Sequence, residues 1–102
     1  MTETVALADL TERPREVAFP GAEPKTVRLA LDAGEEVPAH RHPEREIVVH
    51  LVSGRLDVQV DGESNVLEPG ELLRFDGRRE VSPTAEEDSV AVLVLAPRSD
   101  DG

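Results

Sequence analysis

Cysteine, tryptophan and tyrosine are absent from the 102-residue chain, and phenylalanine occurs only twice. Without cysteine no disulfide staples the fold, and neither a thiol nucleophile nor a thiolate metal ligand is available. With so few aromatics the core must be built from Val, Leu and Ala, and recognition by base stacking is disfavoured. Positive charge is also scarce: 11 Lys and Arg stand against 22 Asp and Glu, a formal net charge of −11, and Lys25 is the single lysine. Binding a phosphate backbone or an anionic membrane surface needs clustered cations, so neither nucleic acid nor a membrane is expected as a partner. Excess acid with almost no lysine suggests a salt-adapted organism, or simply a GC-rich genome. A strongly acidic surface repels itself until salt screens it.

Long hydrophobic runs are missing too. The longest, Val90 to Ala96, has seven residues, against about 20 for a membrane-spanning helix. The N-terminus has no basic stretch followed by an apolar one, so it does not read as a signal peptide. The expectation is a soluble, cytoplasmic protein. Its length suits one core and hence one domain over residues 1–102, with a loosely ordered lead-in over 1–14 and tail over 97–102.

The chain is punctuated by turn signals at short intervals and contains no convincing helical pattern. Lys25 to Leu31 alternates, with Val27, Leu29 and Leu31 on one face. Arg55 to Val60 does the same with Leu56, Val58 and Val60, and Asp61-Gly62 follows as a hairpin signal. Further strands are expected at Ile47–Val52, 64–67, 71–75, 80–82 and 90–95, with an acidic loop from Pro83 to Asp88. The 90–95 segment, continuously apolar, is expected to be buried on both faces. Val5 to Leu10 reads equally as an edge strand or a helical turn. Many short strands without helices argue for an all-β sandwich or barrel.

All three histidines, His40, His42 and His50, fall within Gly34 to Gly54. Alternate residues of an extended segment share a face, so His40 and His42 can present two imidazoles side by side. Pro43 suits the start of a turn. If that turn folds the next strand back, Glu46 faces the histidines. Two imidazoles and a carboxylate around an open position form the facial arrangement of non-haem Fe(II), usable also by Mn, Ni or Zn. The same polar stretch also reads as a solvated loop, with Glu46 in a surface ion pair to Arg41 or Arg45 and His50 as a hydrogen-bonded core residue. Arg74 has two readings, as an anion-holding residue inside the barrel or as an exterior charge.

The order Gly34, His40, His42, Glu46, Gly54 resembles the first conserved motif of the cupin superfamily, in which a glycine precedes His-x-His by five residues and a glutamate follows three or four residues later. One departure is that seven residues separate Glu46 from Gly54 where the motif has six. A β-bulge would absorb the extra residue. The second motif (Gly, five residues, Pro-x-Gly, two residues, His, three residues, Asn) is matched one residue short from Gly70, with Asp76 at the proline, Glu80 at the histidine and Thr84 at the asparagine. The resemblance implies an antiparallel jelly-roll β-barrel with a divalent transition metal (Fe, Mn, Ni or Zn) held by His40, His42 and Glu46. The fourth ligand is Glu80, or His50, or is absent. It also implies a homodimer, for which the apolar C-terminal strand and a possible N-terminal edge strand offer surfaces.

Three functions follow from that resemblance. One is a metal-dependent enzyme of dioxygenase or isomerase type acting on a small oxygen-rich metabolite. The second is a small-ligand-binding or sensing module without turnover. The third is a metal-free interaction or dimerisation domain.

Overall fold

The computed structural model describes residues 2–98. After a 3-10 turn at Leu7–Asp9, eight strands follow: β1 (Arg15–Val17), β2 (Lys25–Leu31), β3 (Arg45–Ser53), β4 (Leu56–Val60), β5 (Val66–Leu67), β6 (Leu72–Asp76), β7 (Val81–Ala85) and β8 (Ser89–Pro97). Every pairing between them is antiparallel. One sheet runs β1-β2-β8-β3-β6 and the other β5-β4-β7. Their inner faces enclose one aliphatic core, and the whole is a jelly-roll β-barrel.

Alternation along the strands decides what faces the core. Val27, Leu29 and Leu31 of β2, Ile47, Val49 and Leu51 of β3, and Leu56, Val58 and Val60 of β4 are all buried in it. Glu46, Val48 and His50 occupy the other parity of β3 and so face outward. The β4–β5 hairpin closes at Asp61-Gly62, both with positive φ (51° and 81°), the geometry that the Asp-Gly pair favours. The bulge expected between Glu46 and Gly54 lies at Val52: Leu51 pairs with Ala91 and Ser53 with Val90, leaving Val52 unmatched.

Two expectations about elements need correction. The segment from Pro83 on is not all loop, because β7 runs through Pro83 to Ala85 beside β4. Pro83 lacks an N–H, but its carbonyl accepts from Val37 at 2.9 Å, so the strand tolerates it. β8 is not buried on both faces: Ala91 and Leu95 are inside while Val90, Val92 and Val94 are half-exposed outside, because only one face of this sheet meets the core. Along the lead-in, Leu10 is only 5 % exposed, the Ala30 amide donates to Pro14 O at 2.7 Å and the Arg28 guanidinium donates to Glu12 O at 2.6 Å. Of the proposed tail, Pro97 ends β8 and Arg98 makes ion pairs; residues 99–102 lie outside the described residues.

Candidate functional site

Between β2 and β3 the chain makes a short irregular run beside β7. Gly34, at φ 89°, turns it, and the Gly34 amide donates to Ala85 O at 2.8 Å. Further along, the Val37 amide donates to Pro83 O, and His40 and Val81 exchange both backbone hydrogen bonds at 3.0 and 2.9 Å. This run extends the smaller sheet and fixes His40 directly opposite Val81. The next turn is held from the other side. The His42 amide donates to Gly77 O at 2.7 Å, the Gly77 amide to Arg45 O at 2.9 Å, and the Arg45 amide to His42 O at 3.0 Å. A side chain at Gly77 would collide with the His42 carbonyl oxygen, so glycine there is what allows the turn to close against β6.

His40 and His42 therefore meet at one end of the barrel, with ring centroids 4.7 Å apart and ring planes at 90°. His40 Nδ1 lies 2.9 Å from Pro38 O. A carbonyl can only accept, so Nδ1 carries a proton. Both rings border a narrow apolar cavity of about 30 Å³ with Ile47, Val58, Phe75 and Val81, room for about one water. They also border a wide groove of about 900 Å³ that opens outward past β1 and β2. Burial, followed by the positive charges of His40, Arg15, Lys25 and Arg45, holds His42 below its ordinary pKa.

The other expected site residues lie elsewhere. Glu46, on the outward parity of β3, pairs with Arg74 at 3.1 Å and Arg98 at 3.8 Å. Its cross-strand neighbour is Asp76, and Arg98, 2.7 Å from Asp76, lies between the two carboxylates. Arg78, through its guanidinium and backbone amide, and Arg98 hold Asp76 far below the usual carboxylate range. Arg74 is an exterior charge, and Arg45 pairs with Glu23 instead. His50 is on the same outward face, opposite Val92 and Leu72, and is not a core residue. Glu80 is exposed, with its amide donating to Asp61 Oδ1 at 2.9 Å.

Among the residues lining the cavity beside the histidines are Ile47 and Val81, 1 % and 5 % exposed. Counting places them in the motifs. Leaving six residues before Gly54 reaches Ile47, with four residues between it and His42, and the second motif counted from Gly70 without a deletion puts Val81 at the histidine and Ala85 at the asparagine. Glu46 and Glu80, the acidic residues assigned from the sequence, stand one position before Ile47 and Val81. The available signal was strand parity: Glu46 falls out of phase with Ile47, Val49 and Leu51.

A divalent transition metal in a protein site takes three or four protein donors. Here the four motif positions that line the cavity carry two imidazoles and two aliphatic side chains, and among the described residues no group of three His, Asp or Glu gathers. The residues present do not fit the Fe, Mn, Ni or Zn centre expected from the sequence.

The family model for the cupin domain matches residues 27–97. A curated relative, "Polyketide synthase CurC" of Streptomyces cyaneus, is 35 % identical over 66 residues, covering 63 % of this chain and 43 % of its own. The chain thus spans less than half the length of that relative. Among solved structures, KdgF from Halomonas sp. is similar with a TM-score of 0.73 and 25 % identity over 89 % of this chain and 86 % of its own. An RmlC-like cupin from Desulfovibrio desulfuricans is similar with a TM-score of 0.79 and 23 % identity over 95 % and 97 %. No helix among the described residues is long and apolar enough to cross a membrane.

Proposed function

Because this chain belongs to the cupin domain family, whose barrels serve both enzymes and binding modules, we propose that it is a small-ligand-binding module that works without a resident metal. The observation that carries this reading is the replacement of two converging donors by Ile47 and Val81 beside an intact histidine pair. An imidazole pair over an apolar cavity can hydrogen-bond a polar group while its neighbours take up an apolar one. It cannot enclose a Lewis-acidic ion with only two donors. The dioxygenase- or isomerase-type reading needs a third donor beside the histidines, and Glu46, His50 and Glu80 do not line the cavity that His40 and His42 border. Metal analysis of untagged protein tests the proposal: well below one equivalent of Fe, Mn, Ni or Zn is expected. Near-stoichiometric metal, lost in His40→Ala/His42→Ala, would overturn it.

For self-association we propose the outward face of the larger sheet around Val48, Val92 and Val94. It is half-exposed and aliphatic, and none of these residues or their neighbours His50 and Leu72 is a carboxylate, so two copies of a chain with charge −11 could meet there. Light scattering that finds a monomer at every concentration would remove this homodimer.

A further inference from the structure

The charge pattern says what the groove beside the histidines takes. Of the 11 cationic side chains, Arg13, Arg45, Arg55, Arg74, Arg78, Arg79 and Arg98 each pair with a carboxylate. Arg28 is buried against the Glu12 carbonyl. The remaining three, Arg15, Lys25 and Arg41, form no salt bridge among the described residues, although acidic side chains outnumber basic ones by 22 to 11. All three are exposed, and all three line the same groove of about 900 Å³ that His40 and His42 border. Arg41 is tethered only through a long contact, 3.4 Å, to the Arg78 carbonyl.

Chance pairing in so acidic a chain would give these cations partners first. The groove also holds the carboxylates of Glu12 and Glu16, the latter accepting from the Thr11 and Glu12 amides at 2.8 and 2.9 Å, so the three cations outnumber the two anions there in a chain where the reverse holds overall. Between the cations the wall is aliphatic, with Val27, Leu29, Leu93 and Leu95. The volume is that of a site for a small organic molecule.

Building on the ligand-binding reading above, we propose that the groove binds a small organic carboxylate with an apolar body. Arg15, Lys25 and Arg41 hold the anionic group through charge-assisted hydrogen bonds. The aliphatic wall buries the body, and the histidine pair closes the inner end. The net negative field elsewhere on the surface leaves this mouth as the place where an anion is attracted rather than repelled.

The test compares octanoate with octanol, which has the same chain length but no charge, by NMR titration in dilute buffer. The parent protein is run beside Arg15→Gln/Lys25→Gln/Arg41→Gln, whose side chains make no ion pair that folding would lose; melting confirms that the variant is folded. Octanoate is expected to bind about tenfold more tightly than octanol, with the preference shrinking in molar KCl and falling to near parity in the variant. Equal binding of both probes by the parent overturns the carboxylate inference and leaves the ligand-binding reading standing. A preference that survives in the variant overturns the assignment to these three residues. No binding of either probe by folded parent overturns both.

Discussion

His42 holds the most informative single side chain. Burial comes first, then the charges of His40, Arg15, Lys25 and Arg45, and together they keep it neutral further into acid than an ordinary histidine near 6.5. As pH falls through that ordinary value the unfolded chain takes up a proton that the folded chain still refuses. Stability therefore declines from about pH 6.5 downward and levels off once the folded His42 protonates. Melting curves between about pH 7 and about pH 5 should fall more steeply for the parent than for His42→Gln; parallel curves would show that His42 is not held neutral by its surroundings. At this scale the sequence made the juxtaposition of His40 and His42 legible, while the outward placement of Glu46 is carried by strand parity and not by motif spacing. The motif match rewarded the nearest acid. Whether an acid points inward depends on the phase of its strand, and that phase is set by which neighbours the core needs, here Ile47 and Val81.

At the scale of elements, the histidine turn depends on Gly77. The backbone of this residue is bonded to both ends of the turn, at His42 and Arg45, with no room for a side chain. Gly77→Ala should lower stability by ~1–3 kcal/mol and move the His40 and His42 ring resonances in NMR spectra. An unchanged melting temperature with unmoved rings would show that the turn is not clamped there. Strands with clean alternation, β2 and β4, were readable from their residues because one face meets the core and the other does not. The β7 strand was not, since Pro83 and the acidic residues after it carry loop signals. It survives because its partner on the open side is an irregular run that asks for Pro83's carbonyl and not for its missing N–H. The Val52 bulge was foreseeable from the length between Glu46 and Gly54, since an odd residue has to leave the ladder somewhere.

For the whole molecule, composition speaks more clearly than pattern. Most cations are spent in surface pairs such as Arg13–Asp32 and Arg55–Glu86, each worth little, and the excess carboxylates repel one another. Screening relieves the folded state more than the expanded one, so the melting temperature should be higher in molar KCl than in dilute buffer. Equal values would mean that the acidic surface does not limit stability. The jelly-roll barrel was legible from turn spacing and the glycine positions of the two motifs. The donor set of its mouth was not, because among the described residues no third His, Asp or Glu joins the histidine pair, and the cavity beside it is lined by aliphatic residues that any β-barrel core would also contain.

The central claim is that Ile47 and Val81 occupy the positions at which a metal-binding barrel of this shape would place donors. Nickel titration by calorimetry tests it most directly, comparing the parent with Ile47→Glu/Val81→His and with Val81→His alone as the milder replacement, each checked for folding by its melting curve. Glu80→His serves as the outward control. The parent and the control should bind weakly and alike, while the double variant should bind one equivalent about a hundredfold more tightly. One equivalent bound by the parent as tightly as by the double variant, and lost in His42→Ala, would contradict the account.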